Sequence, residues 1–229
     1  KLNKRNHRAL RKSPQPSQRS RIMNIKKSLQ SIDASGSNFY FNDVDVIPEN
    51  IKAVLINEVV PNDPENDFYG KQDGEYLSAV IRLFQNAGIT VNTAEELLDL
   101  GIYITNAVKK PKSHTSVERS MIEESLPFLE KELALFPNVQ VVVLMGDVAK
   151  KAVNMIAKRT TKRNVIPAVS TYKLRHSEIY YKNIRLMPSY IMTGKNILIE
   201  KSKFQMACED ISNMINMINR DPVFHLHQQ

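Results

Sequence analysis

Val139-Gln140-Val141-Val142-Val143-Leu144-Met145-Gly146-Asp147-Val148-Ala149 is the stretch whose reading decides the fold. Its first seven residues are almost wholly apolar and rich in valine, the composition of a parallel strand covered on both faces. Gly146 and Asp147 then turn the chain directly into an amphipathic stretch, residues 148–158, with Asp147 placed to cap it. A buried strand running straight into a helix is the building unit of α/β sandwiches.

The same alternation continues on both sides. Residues 51–56 read as a second buried strand and residues 102–105 as a third. Residues 76–87 place Leu77, Val80, Ile81 and Phe84 on one helical face, stopped by Gly88, and residues 94–100 form a short helix closed by Gly101. A long helix is predicted over 116–136, ended by Pro137, and residues 178–186 read as a hairpin arm or strand that ends at Pro188. Residues 195–218 read as one closing helix carrying Ile197, Phe204, Cys208, Ile211, Met214, Ile215 and Ile218 on one face. The expected fold is α/β: a three-layer α/β/α sandwich with a central four-stranded, mainly parallel sheet. No internal repeat is visible. Ligands in this architecture collect at the carboxyl ends of the strands.

Composition sets outer bounds. The chain has 229 residues, 42% hydrophobic and 24% charged, enough for a sizeable core. Its net charge of +8 is not spread along it: eight of the 32 Lys and Arg fall in residues 1–22, which hold no acid, so 24 bases face 24 acids from Met23 onward. A uniformly basic binding domain is excluded, and phosphate affinity has to come from local patches or the N-terminal segment. Residues 1–38 are polar, basic and rich in Ser, Pro and Gln, and are expected to be mostly disordered. Met23 offers a second possible start, which would make residues 1–22 an optional extension. Residues 39–220 form the expected domain and 221–229 a flexible tail.

One cysteine, Cys208, allows no intramolecular disulfide, no multi-cysteine zinc site and no thiolate-held iron–sulfur cluster. His225-Leu226-His227 reads as a loose tail, since two imidazoles leave a site open, so no cofactor and no metal are expected. No apolar run reaches the roughly 18 residues of a membrane span, and residues 1–22 lack the apolar core of a signal peptide. A reducing, cytoplasmic setting and a monomer are the default expectations. Neither a Walker loop, a Gly-x-Gly dinucleotide fingerprint nor a Gly-x-Ser-x-Gly elbow is present.

Three segments fall at predicted strand ends. Residues 57–70 carry Glu58, Asp63, Glu65 and Asp67 with two prolines, Phe68 and Tyr69. They read either as a solvated acidic loop plugged by Phe68, or as a pocket wall with a carboxylate for water activation or charge stabilisation. Thr105-Asn106-Ala107-Val108-Lys109-Lys110-Pro111-Lys112 leaves the third strand; Asn106 either closes a turn or reads the edge of a planar base with its amide. Its lysines are either a solvated face or a phosphate-binding set. Met187-Pro188-Ser189-Tyr190, leading to Gly194-Lys195-Asn196, is a strand end, a proline turn and a helix start.

Together these segments resemble the uracil-DNA glycosylase superfamily, from about residue 50 to 212. Ile56-Asn57-Glu58-Val59-Val60-Pro61 stands where the iron–sulfur glycosylases have Gly-Glu-x-Pro-Gly; Phe68-Tyr69-Gly70 is similar to their Phe-x-Gly. Tyr103-Ile104-Thr105-Asn106-Ala107-Val108-Lys109 is similar to their Ile-Thr-Asn-x-Val-Lys. Val143-Leu144-Met145-Gly146-Asp147-Val148-Ala149 resembles their Leu-Gly-x-x-Ala junction, and Met187-Pro188-Ser189 their His-Pro-Ser. The resemblance implies that Phe68 stacks on a flipped base, that Asn106 reads its edge, and that Glu58 or Asp63 stabilises a cationic sugar. It implies Ser189 at the target phosphate, with Lys109, Lys112 and Lys195 as non-specific phosphate contacts on DNA.

The departures are as informative. Lys110 stands where a cluster cysteine would be, so no cluster is expected, and Val59 stands where the archetypal branch has a water-activating Asp. Met187 replaces the His that donates to the departing uracil; a thioether cannot donate, a loss on the order of 10²–10³ in rate by analogy with oxyanion-hole deletions. The implied function is excision of uracil or a related base from DNA by hydrolysis of the N-glycosidic bond. Two rivals stand beside it. One is a weak or inactive homologue that binds nucleic acid or a nucleobase, favoured by Val59 and Met187; the other is an α/β scaffold for a nucleotide-like ligand, favoured by the neutral core. Steep salt dependence marks the DNA enzyme, and its absence the nucleobase binder.

Overall fold

The structure, a computed structural model, describes residues 21–32, 38–113 and 116–220. In chain order the elements are β1 (Met23–Asn24), α1 (Ile25–Gln30), β2 (Asp45–Val46), β3 (Ala53–Val60), α2 (Glu75–Asn86), α3 (Ala94–Asp99), β4 (Ile102–Pro111), α4 (Arg119–Ala134) and β5 (Val141–Met145). Then follow α5 (Asp147–Thr161), α6 (Thr171–Leu174), β6 (Ile179–Tyr181), β7 (Ile184–Ser189), α7 (Lys195–Ile199) and α8 (Lys201–Asn219). The main sheet has the order β4-β3-β5-β7-β6. β4, β3, β5 and β7 are mutually parallel, and β6 pairs antiparallel with β7.

The alternation of side chains along each strand builds two cores. On β3 and β5, Val54, Ile56, Val142 and Leu144 face one side with α1, α4 and α5 residues such as Leu29, Leu129 and Val153. Ala53, Leu55, Val141, Val143 and Met145 face the other, with Phe84 of α2, Leu97 of α3 and Ile211 and Met214 of α8. Fully buried chains such as Phe84 each contribute about 1.5–3 kcal/mol on apolar area alone. This is the expected α/β/α sandwich.

Four details correct the sequence reading. The sheet has five strands, not four, because Lys182 and Asn183 adopt positive φ (48° and 63°) and fold residues 179–189 into a tight hairpin that adds β6. The domain starts before residue 39: β1 pairs with β2, and α1 buries Ile25 and Leu29 completely. The reading of 1–38 as mostly disordered therefore fails for residues 23–30, where two apolar side chains one turn apart suffice to dock a short helix. Residues 1–20, 33–37 and 221–229, including His225 and His227, lie outside the described residues. The closing helix breaks at Glu200 (φ −83°, ψ 79°) into α7 and α8. Finally, Asp147 is the first residue of α5 rather than its cap; Gly146 holds that position at φ 100°, and Asp147 instead pairs with Lys150 at 2.7 Å.

Candidate functional site

The carboxyl ends of β3, β5 and β7 open into a cleft of about 980 Å³. Glu58 of β3, Lys112 just after β4, Gly146 and Asp147 after β5, Ser189 of β7, and Thr193 and Lys195 at the α7 entry all line it. Its lining carries Lys112, Lys195 and Lys203 against Glu58, Glu75, Asp147 and Glu200. That near balance of charge means the cleft itself exerts no strong general attraction on a phosphate backbone.

Glu58 is half-buried beside the first turn of α5, where Oε1 accepts from the Val148 N–H at 3.2 Å. Burial raises its carboxyl above the usual range, partly offset by that N–H and by Lys112. The approach requires Gly146. A Cβ there would run into the Glu58 carboxylate and lie 2.7 Å from Ile191 Cγ1, and the positive φ disfavours any side chain.

Next to Glu58, the extended register pairs Asn57 directly with Asn106 across β3 and β4. Both are buried, and Asn57 Nδ2 donates to Asn106 Oδ1 at 2.7 Å. Asn106 Nδ2 donates in turn to Asp67 Oδ2 at 2.7 Å, and Thr193 Oγ1 donates to Asn57 Oδ1 at 3.2 Å. Asp67 also accepts from the Phe68 N–H at 2.9 Å. Burial pushes its carboxyl up to about 6, against the lowering effect of Asn106, Phe68 N–H and Lys109. Phe68 is 1% exposed, and the Tyr76 ring tilts against it at 5.6 Å. The cleft wall here is therefore Asn57, Tyr76 and Thr193, with Asn106 and Phe68 one layer behind.

A model of the uracil DNA glycosylase superfamily matches residues 46–208. The chain belongs to that superfamily. No curated protein matches it. Against this membership, Glu58 and Ser189 do lie at or near the carboxyl ends of parallel strands, whereas Asn106 sits in the middle of β4, which runs on to Pro111, and reaches the site only through its pairing with Asn57. Their surroundings differ from the expected roles in several places.

Asp63 is exposed and does not reach the cleft. It caps the short 3-10 turn Pro64–Asn66, accepting from Glu65 N–H at 3.1 Å and Asn66 Nδ2 at 3.1 Å, and this corrects its catalytic assignment. Lys109 is not a phosphate contact: β4 continues to Pro111, and its ammonium, 2% exposed, is paired with Glu132 and donates to Thr105 Oγ1 at 2.6 Å. Glu132 also accepts from Tyr103 Oη at 2.5 Å and from Thr105. The Ser189 hydroxyl, fully buried, donates to Asp210 at 2.5 Å, and Asp210 is held by Arg175 at 3.0 Å. That hydroxyl faces α8, which corrects its assignment to a target phosphate. Lys112 and Lys195 are exposed on the cleft. Met187 is 3% exposed in the core of the α2–α8 face, and Val59, 5% exposed, only borders the cleft.

Asn57, Asp67, Tyr76 and Thr193 were not singled out from the sequence. Asn57 and Asp67 carried a usable signal: a polar residue inside an apolar strand, and a carboxylate directly before the aromatic of the Phe-x-Gly segment. Tyr76 and Thr193 carried none, because their placement depends on how α2 and the β7–α7 turn meet. Among the described residues no three His, Cys, Asp or Glu side chains gather as a metal-binding group, and no helix is long and apolar enough to cross a membrane.

Proposed function

We propose that this chain hydrolyses the N-glycosidic bond of a base in DNA, with Glu58 as the reacting carboxylate. The observation that carries this reading is the position of Glu58: near the carboxyl end of β3, in the lining of the cleft, and held by the first turn of α5. Superfamily membership supports a glycosylase-like activity in general. In the reaction, a water oxygen bonds to C1′ while the C1′–N bond breaks. The bonding pair leaves with the base, which takes up a proton from solvent, and the attacking water passes a proton to Glu58. The cationic character of the sugar in the transition state is stabilised by the same carboxylate. Lys112 and Lys195 flank the cleft for phosphate contacts. With so balanced a lining, binding should depend on few phosphates, so the salt slope is shallower than the steep one expected from the sequence, and base release rather than salt dependence separates the readings.

A second reading, binding of a nucleobase in nucleic acid without turnover, is favoured by Met187, which sits in the core and offers the leaving base no donor. Base release from oligonucleotides bearing uracil, hypoxanthine or mismatches decides between them. The hydrolytic reading expects release that Glu58→Gln lowers by roughly 10²–10⁴-fold with little change in binding. No release from any substrate, with the same oligonucleotides still bound, leaves the binding reading.

A further inference from the structure

Two buried cations hold a short stretch of chain whose middle ring stands in the open. Lys150 of α5 is 9% exposed; its ammonium donates to Thr171 Oγ1 at 3.0 Å and pairs with Asp147 at 2.7 Å. Arg175, 6% exposed, pairs with Asp210 and with Glu209 of α8, each at 3.0 Å, and donates to the Met206 carbonyl at 2.9 Å. Between these anchors Leu174 is buried, and α6 closes through Leu174 N–H to Ser170 O at 3.2 Å and Arg175 N–H to Thr171 O at 3.0 Å. Burying a cation is costly unless its partners are well placed, and here both sets of partners fix residues 171–175. Yet Tyr172 is 69% exposed, and among the described residues no ring, cation or side-chain hydrogen bond occupies it.

We propose that Tyr172 is a stacking platform for the unpaired base next to the reacting nucleotide. The inference rests on the reading of the cleft as a site for a base in DNA. Tyr172 lines the same cleft as Glu58, and at about 980 Å³ that cleft lies at the top of the range of ligand pockets, about 300–1,000 Å³, with room for more than one base. Tyr76 stands beside Phe68 in the loop after β3, whereas α6 is tied to α5 and α8 and packs on β7. The two rings therefore serve different parts of the cleft.

Charge explains why a base, rather than the backbone, is the occupant. The lining holds nearly as many acids as bases, so a strand gains little there from its phosphates, and its grip has to come from uncharged contacts. Every base offers a π-face, so one ring accepts any neighbour. A ring fixed before binding also loses little freedom when a base settles on it, which is what the Lys150 and Arg175 anchors provide. Lys173 and Lys195, both exposed, are available for phosphates of the same strand. A duplex keeps the neighbouring base stacked within its own helix, so the platform favours a single strand.

The test uses strands of baseless tetrahydrofuran spacers that carry one uracil, 2′-fluorinated so that its glycosidic bond resists hydrolysis. The uracil stands alone, or with a single thymine on its 5′ or its 3′ side. Wild-type protein should bind one of the two thymine-bearing strands roughly five- to hundredfold more tightly than the strand with uracil alone, the worth of one stacked base. Tyr172→Ala, an exposed position that should leave the melting temperature unchanged, should bind the strands with equal affinity. Tyr172→Phe should keep the gain, because the ring and not the hydroxyl carries it. No gain from thymine on either side in wild type, or a gain that survives Tyr172→Ala, overturns the proposal. Base release from an ordinary uracil strand is scored separately. A gain that depends on Tyr172 without release removes the hydrolytic reading alone, release without such a gain removes the platform alone, and failure to bind any strand removes both.

Discussion

Replacing Lys109 with methionine separates a structural lysine from a DNA-binding one. The Lys109 ammonium and the Glu132 carboxylate are 2% and 1% exposed, and their partners are each other, Thr105 and Tyr103. Removing one member of a buried pair leaves the other uncompensated, a cost of about 3–5 kcal/mol. Here the two hydroxyls still donate to Glu132, and methionine preserves most of the volume, so the lower end, about 3 kcal/mol, is expected. In urea that loss should move the unfolding midpoint down by roughly 1–2 M at an unchanged slope. The double replacement Lys109→Met with Glu132→Leu should recover much of it, because an apolar pair of similar volume avoids desolvating two charges. DNA binding supplies the contrast. Lys109→Met should leave the slope of log affinity against log salt untouched, whereas Lys112→Ala, exposed on the cleft, should lower it by about one without affecting stability. A Lys109→Met protein as stable as wild type, with a reduced salt slope, would refute the assignment.

Gly146→Ala should cost about 1–3 kcal/mol through its positive φ, and should abolish base release by displacing Glu58; wild-type melting and activity together would show that the close approach is not required. Stability should also carry the signature of Asp67. Its carboxyl is raised from 3.8 to about 6 in the folded protein, so the folded state binds the proton more tightly than the unfolded chain does. The stabilisation is complete below about 3.8 and is lost as pH rises through about 6, a change of about 3 kcal/mol. Comparison with Asp67→Asn in urea titrations across that range isolates this contribution, and parallel curves for the two proteins would contradict it.

The sequence by itself determined the layers. Apolar runs at 51–56 and 139–145 could be satisfied only by cover on both faces, and the 3.6-residue spacing of Leu77, Val80, Ile81 and Phe84 named the covering face of α2. It also placed Glu58 and Ser189 at strand ends, but it ended the third strand at Thr105, whereas β4 runs on to Pro111 and leaves Asn106 in mid-strand. Tertiary structure decided what those residues do. Lys109 reads in the sequence as one of a basic run, and only the packing of α4 on β4 brings Glu132 to it and buries both. Ser189 reads as the serine of a phosphate loop, until α8 supplies Asp210. Asp67 and Asn106 are 39 residues apart and Asn57 and Thr193 are 136 apart, yet they form one chain of bonds. Burial and donor–acceptor direction are properties of the assembled neighbourhood, since an amide or a hydroxyl can face either way until a carboxylate at one end fixes it.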